Sequence, residues 1–359
     1  MTRLAQFERR YEFHQMENGS FPLHRPAEVM EKMMYVGIDV GKNKCVATAM
    51  NEKKQEIYHF SFNNDQEGIT YAIQRIKQYE SSAVMESTGN YWILLYDMLD
   101  KSGIPVRLAD LLRGDNICNS YVPDREKREI MRQRVGLVHE RTRLKERVIS
   151  IVDKYRYKSP FTDMFSNSGI KWLKAINVSW ADRMAIDSLL AVIAQLNEEI
   201  QKFDNKIASI AVEDSNTRLL MTMPGINFVT AQTIMAEIVD IRRFTTPYKL
   251  ISYAGLTPSR RDSGNKKTRG MKITHTGSSW LRYAMVEAAN TTIIYDDRIK
   301  TFYTRVAKRR GPQKAKVAAA REMLFILWQM LTKGEPYRGS NPRLTQEKYK
   351  SMERKAKLA

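Results

Sequence analysis

Tyr35-Val36-Gly37-Ile38-Asp39-Val40-Gly41-Lys42 is the stretch that decides the fold. Its apolar residues run for the length of a short strand and stop at a glycine turn, with an aspartate next to last. Working outward, residues 45–50 and 57–62 repeat the strand pattern at hairpin spacing. A helix is expected over 65–79, with Asn64 or Asp65 as its N-cap. Ser82-Ala83-Val84-Met85-Glu86 is another apolar strand closed by an acid, and Ser87-Thr88-Gly89 is the turn after it. A second helix is expected from about 91 to 101, and Ile104-Pro105-Val106 reads as a short strand.

Three antiparallel strands, a helix, a strand and another helix are the opening of a ribonuclease-H-like α/β domain. The rest of the chain has a different texture. Residues 124–155 read as a long charged helix in which Ile130, Leu137, Leu144 and Ile151 recur every seventh position. In a second long helix Leu189, Ile193, Leu196, Ile200, Phe203, Ile207 and Ile210 alternate spacings of four and three, the seam of a coiled coil. Its partner is either the first long helix or a second copy of the chain. The expected division is a polar extension (1–33), an α/β domain (34–123), a helical coiled-coil region (124–215), a compact helical domain (216–333) and a basic tail (334–359).

Composition narrows the function. The 59 Lys and Arg against 40 Asp and Glu give a net charge of +19, and a surplus of that size calls for a polyanionic partner. No run approaches the ~18 apolar residues of a membrane span, and the chain does not open on a signal-peptide pattern. Cys45 and Cys118 each stand alone and the five His residues have no metal-ligand spacing, so a disulfide framework or a cysteine metal site is not indicated. A reducing, cytoplasmic setting is expected.

Three segments carry chemistry. Asp39 and Glu86 each end an apolar strand, and strands laid side by side would bring both carboxylates to one sheet edge, where they can hold Mg²⁺ against a phosphodiester. The strand-Asp-Gly turn also occurs in actin-like sugar kinases, but the second phosphate turn of that fold is not found here. Met223-Pro224-Gly225-Ile226 leads into a helix of small and apolar residues, the pattern of a helix-hairpin-helix whose amides grip phosphate; a tight turn between packed helices is the plain alternative. Between 259 and 282, Arg260, Arg261, Lys266, Lys267, Arg269, Lys272 and Arg282 are interleaved with glycines, as in a loop that grips a nucleic-acid backbone. That loop ends at Gly277-Ser278-Ser279-Trp280, where a serine is either a helix N-cap or, among cations, a nucleophile toward phosphorus.

Taken in order, these segments resemble the insertion-sequence-110-type transposases, which include the Piv pilin-gene invertases. The similarity runs through residues 35–42, Met85-Glu86-Ser87-Thr88-Gly89-Asn90-Tyr91-Trp92, Ser120-Tyr121-Val122-Pro123, Met223-Pro224-Gly225-Ile226, Tyr253-Ala254-Gly255-Leu256 and Gly277-Ser278-Ser279-Trp280-Leu281-Arg282, spanning roughly 34–333. The resemblance implies a RuvC-like domain with an Asp-Glu-Asp-Asp metal site, a coiled-coil region and a C-terminal domain with a catalytic serine. It also implies cutting and rejoining of DNA, in some members guided by a structured RNA, and assembly as a dimer or tetramer. Asp39 and Glu86 match the first two acidic positions, and the serine falls at Ser278, with Ser279 as the alternative. One departure stands out. The Lys-Thr-Asp-x-x-Asp-Ala segment that supplies the last two acids has no counterpart, because Ile104-Pro105-Val106 passes directly into Arg107-Leu108-Ala109-Asp110-Leu111-Leu112-Arg113. About one strand and one helical turn are thus missing, Asp110 is the nearest replacement, and a catalytically impaired nucleic-acid-binding relic is the rival reading.

Overall fold

A computed structural model describes residues 33–86, 90–110, 115–117, 125–258, 262–263, 266–267, 273 and 277–359. The chain divides into two compact units, Met1–Asn119 and Ser120–Ala359. The Ser87-Thr88-Gly89 turn, the Ser120-Tyr121-Val122-Pro123 segment and the extension before Met33 lie outside the described residues.

In the first unit the order is β1 (Met34–Val40), β2 (Lys44–Met50), β3 (Glu56–Asn63), α1 (Gln66–Ile76), β4 (Ser81–Glu86), α2 (Trp92–Lys101), β5 (Val106–Asp110) and β6 (Asp115–Ile117). They form one six-stranded mixed sheet, β3-β2-β1-β4-β5-β6, antiparallel across β1–β3, parallel along β1-β4-β5 and antiparallel again at β6. The period-two pattern sets its faces: Met34, Val36, Ile38 and Val40 are buried while Tyr35, Gly37 and Asp39 alternate with them on an exposed face. Helices α1 and α2 pack on β3, on β5 and on each other. Asp65 caps α1, accepting the Gly68 N–H at 2.8 Å.

β5 corrects the reading of residues 104–113. The strand begins at Val106 and takes in Arg107-Leu108-Ala109-Asp110, which pair in parallel with β4. Val106 and Leu108 are 2% exposed and alternate with exposed Arg107, so period-two burial wins there. A strand therefore stands beside β4 even though the acidic motif is absent.

The second unit is helical: α3 (Arg125–Lys154), α4 (Asn167–Ala175), α5 (Trp180–Glu213), α6 (Ser215–Met221), α7 (Phe228–Ile238), a 3₁₀ turn (Ile241–Arg243), α8 (Pro247–Tyr253), α9 (Ser279–Tyr295), α10 (Asp297–Arg310), α11 (Pro312–Lys333) and α12 (Pro342–Ala356). Between α8 and α9, β7 (Asp262–Ser263) pairs antiparallel with β8 (Lys266–Lys267), and Pro258 bridges to Ile273, so the described residues of the basic segment pair with one another.

The seam on α5 finds its partner within the chain. Arg134 reaches Asp204 at 3.0 Å, Arg141 reaches Asn197 at 2.8 Å and Lys154 reaches Asp182 at 2.9 Å, so α3 and α5 run antiparallel. Leu189, Ile193, Ile200 and Ile207 are buried as the spacing predicts. On α3 the buried residues are instead Arg128, Met131, Val135, Val148 and Val152, while Ile130, Leu137, Leu144 and Ile151 are half-buried. The buried stripe is displaced because α3 packs against α7 as well as α5. The basic tail also has structure: α12 lies along α5, with Lys355 on Asp204 at 2.8 Å and Asn205 donating to the Leu358 carbonyl. No helix among the described residues is long and apolar enough to cross a membrane.

Candidate active site

Two groups of side chains, one in each unit, have the makings of chemistry. In the first unit, Ile38 of β1 pairs with Met85 of β4, so one further step along this parallel register sets Asp39 beside Glu86. Residues in register on parallel neighbours share a face, here the open one, where Asp39 is exposed and Glu86 half-buried. Glu86 in turn pairs with Ala109, and Asp110 lies one residue beyond, in register with Asp115. Asn64, the other candidate for the α1 cap, has a different task. Its amide donates to the Gly41 and Tyr91 carbonyls, each at 3.0 Å, and so ties the segments that follow the two acidic strands. Beneath Asp39, burial pushes the Cys45 thiol above its ordinary range, and the Asp39 charge adds to the effect.

A Mg²⁺ ion takes near-octahedral oxygen ligands, and the four-carboxylate set implied by the resemblance would supply them. Among the described residues no three His, Cys, Asp or Glu side chains come together. Asp39 and Glu86 are two. Among the described residues this donor set falls short of the four-carboxylate site.

In the second unit, Ser278 is the N-cap of α9. Its Oγ accepts the Leu281 N–H at 3.0 Å, and its backbone N–H donates to the Tyr253 carbonyl at 2.7 Å. Gly277 precedes it with φ +110°, and a Cβ there would stand 2.1 Å from that same carbonyl oxygen. Arg282, one turn into α9, donates to the Ala254 carbonyl at 3.1 Å. The Tyr253-Ala254-Gly255 turn is therefore the seat on which the serine segment rests. The Ser278 hydroxyl proton goes to Glu237 on α7, Oγ to Oε2 2.8 Å, and the other Glu237 oxygen accepts Arg132 Nε and Nη2 at 3.1 and 2.8 Å. Glu237 is 2% exposed. Ser279 is the exposed first residue of the helix, so of the two serines only Ser278 is drawn into this network.

The Pro-Gly turn is occupied by packing. Gly225 has φ +81° and lies against α9, where an added Cβ would sit 2.6 Å from the Ala288 carbonyl oxygen, and Thr292 donates to the Pro224 carbonyl at 2.7 Å. Asn227 caps the following helix, accepting the Thr230 N–H. These contacts account for the turn without a phosphate. Arg260, Arg261, Arg269 and Lys272 lie outside the described residues, and Lys266 and Lys267 are placed by their backbone in β8. Exposed cations are found instead on α10, where Lys300, Arg305 and Lys308 line a shallow groove with Thr301 and Thr304.

Comparison with known proteins assigns both units. A family model described as Transposase IS116/IS110/IS902 family matches residues 217–304, and a second, described as transposase, matches residues 36–127. The chain belongs to the IS110-type transposases. It is 24% identical over 169 residues to the transposase for insertion sequence element IS1111A of Coxiella burnetii, covering 46% of each chain. It is 26% identical over 288 residues to the putative transposase y4qE of Sinorhizobium fredii, covering 72% of this chain and 71% of that one. The pilin gene-inverting protein of Moraxella bovis is 23% identical over 336 residues, 84% of this chain and 97% of its own length. The match thus spans under half the length of some relatives and nearly all of others.

Within this IS110-type chain, sequence reasoning names Asp39, Glu86 and Ser278, gives Asn64 only as a cap, and passes over Arg132 and Glu237. For Glu237 a signal exists: it is the single ionisable residue in Phe-Val-Thr-Ala-Gln-Thr-Ile-Met-Ala-Glu-Ile, residues 228–238. A lone acid in a helix buried on nearly every side needs a partner.

Proposed function

We propose that this chain is a DNA transposase acting as a site-specific recombinase, which cuts DNA and rejoins it through an ester between Ser278 and a strand end. The observation that carries the reading is that each family match covers one candidate centre: 36–127 contains Asp39 and Glu86, and 217–304 contains Ser278. The relative named for inverting a pilin gene supports recombination as the reaction class.

In this reading the first unit is a ribonuclease-H-like domain whose Asp39–Glu86 edge faces a scissile phosphate. Ser278 attacks phosphorus, and the ester it forms retains the energy of the broken phosphodiester, so the strand reseals by the reverse displacement. The basic segment between Pro258 and Ile273 and the cations of α10 hold DNA backbones, with a structured guide RNA as a second polyanion. A second copy of the chain is required, because strand exchange needs more than one reaction centre.

The test is junction formation in cells carrying this gene with its native flanking DNA, read by amplification across the excised or inverted ends. Wild type is expected to form junctions, and Ser278→Ala and Asp39→Ala to lose them by at least about a thousandfold. Junctions that persist in Ser278→Ala would remove the serine from the mechanism. The missing Lys-Thr-Asp-x-x-Asp-Ala segment favours one rival, a relic that binds nucleic acid without cutting it. That rival is the outcome if wild type forms no junctions yet shifts the same DNA in a binding assay.

A further inference from the structure

A serine that serves as a helix cap needs an acceptor oxygen and nothing more. Three described helices are capped by serine, at Ser166, Ser179 and Ser278. The Ser179 hydroxyl donates at 3.3 Å to Asp182, an acid in its own first turn. Ser278 differs in kind. Its hydroxyl donates at 2.8 Å to a carboxylate from another helix, 41 residues away and 2% exposed. Burying an ionised carboxylate costs several kcal/mol unless it is paired, far more than a cap of about 1 kcal/mol returns. The pairing is present: both Arg132 bonds fall on Oε1 and leave Oε2 to the serine. The Arg132 guanidinium lies 5.8 Å from the Trp280 ring centroid, so the clamp is packed against the turn that carries the serine. Two residues past Glu237, Val239 ends α7 with φ +61°, a conformation that costs a β-branched residue about 1–3 kcal/mol.

We infer that Glu237 is the proton acceptor that makes Ser278 a nucleophile, with Arg132 as the positioning residue that fixes its carboxylate. The inference rests on the reading of Ser278 as the attacking group. In the step, Ser278 Oγ bonds to phosphorus and its proton passes to Glu237 Oε2. The P–O ester bond to the departing strand end breaks with its electron pair on that oxygen, which takes a proton from water. Glu237 returns its own proton to water, so the net change is one phosphate ester exchanged for another. Arg132 of α3 and Ser278 at the head of α9 both hydrogen-bond the carboxylate, and arginine stays charged across the working range.

A fluorophosphonate probe tests this on the full-length protein without DNA or metal: Oγ–P forms, P–F breaks and fluoride leaves. Wild type is expected to be labelled at Ser278, located by peptide mass spectrometry. Glu237→Gln should label at least about a hundredfold more slowly. Glu237→Asp, which keeps a carboxylate, should recover part of the lost rate, so the result does not depend on one variant folding. Labelling of Glu237→Gln at the wild-type rate, or of Glu237→Asp no faster than Glu237→Gln, overturns the acceptor role while Ser278 stands. Wild-type label that is absent from Ser278 overturns the serine reading itself.

Discussion

At the scale of single residues, the serine turn is over-determined, and its parts fail in different ways. Gly277→Ala must place a Cβ against the Tyr253 carbonyl at φ +110°, and we expect a loss of at least about 2 kcal/mol in urea denaturation. Ser278→Ala removes the cap of α9 together with a donor to a buried carboxylate, a combined loss of about 1–3 kcal/mol. Ser278→Thr keeps both bonds and should stay within about 0.5 kcal/mol of wild type in the same measurement. The junction assay on Ser278→Ala is therefore read at a temperature where the variant's melt shows it still folded. In the first unit, Asn64→Ala frees the Gly41 and Tyr91 carbonyls that flank the acidic pair, for a cost of about 1–2 kcal/mol.

Among the elements, the strands and long helices were legible because their periods are intrinsic to the chain. β1 to β4, α1 and α2 follow from alternation, a glycine turn and an aspartate cap, and the α5 seam follows from its fours and threes. What escaped depends on neighbours. β5 runs on through Asp110, past the short strand read at 104–106, because a place beside β4 is open to Val106 and Leu108, and the α3 stripe shifts because two helices share it. The polar partners of Ser278 come from 41 and 146 positions away in sequence, Glu237 and Arg132, and no local spacing encodes such distances. α12 offers a test at this scale. Lys348 sends its ammonium to the Met221 and Met223 carbonyls at 2.7 and 2.8 Å, and burial lowers its pKa to about 8. Because the unfolded lysine holds its proton to about pH 10.4, the folded state loses that proton first, and stability rises with pH between those values. Wild type should gain about 2 kcal/mol from pH 7 to 10 relative to Lys348→Met, by urea denaturation at both pH values.

For the molecule as a whole, much of the positive charge has internal work. Arg132, Arg134 and Lys154 on α3 are paired with Glu237, Asp204 and Asp182, so the long basic helix is partly a brace. Lys300, Arg305 and Lys308 on α10 are exposed and line one shallow groove, with Asp297 at the same surface. Replacing all three with alanine should lower the salt dependence of DNA binding by about 0.9 log unit per lost phosphate contact, read as the slope of log K against log salt. An unchanged slope would move the DNA surface elsewhere, with the basic segment between Pro258 and Ile273 the next to test. The place of α12 has a consequence for synthesis. Its Lys348 closes carbonyls 127 and 125 positions upstream, and its Lys355 meets Asp204 across 151. On the ribosome, then, the sheet of the first unit has all its strands early, whereas the serine-bearing unit must wait for α12 to be translated before these contacts form.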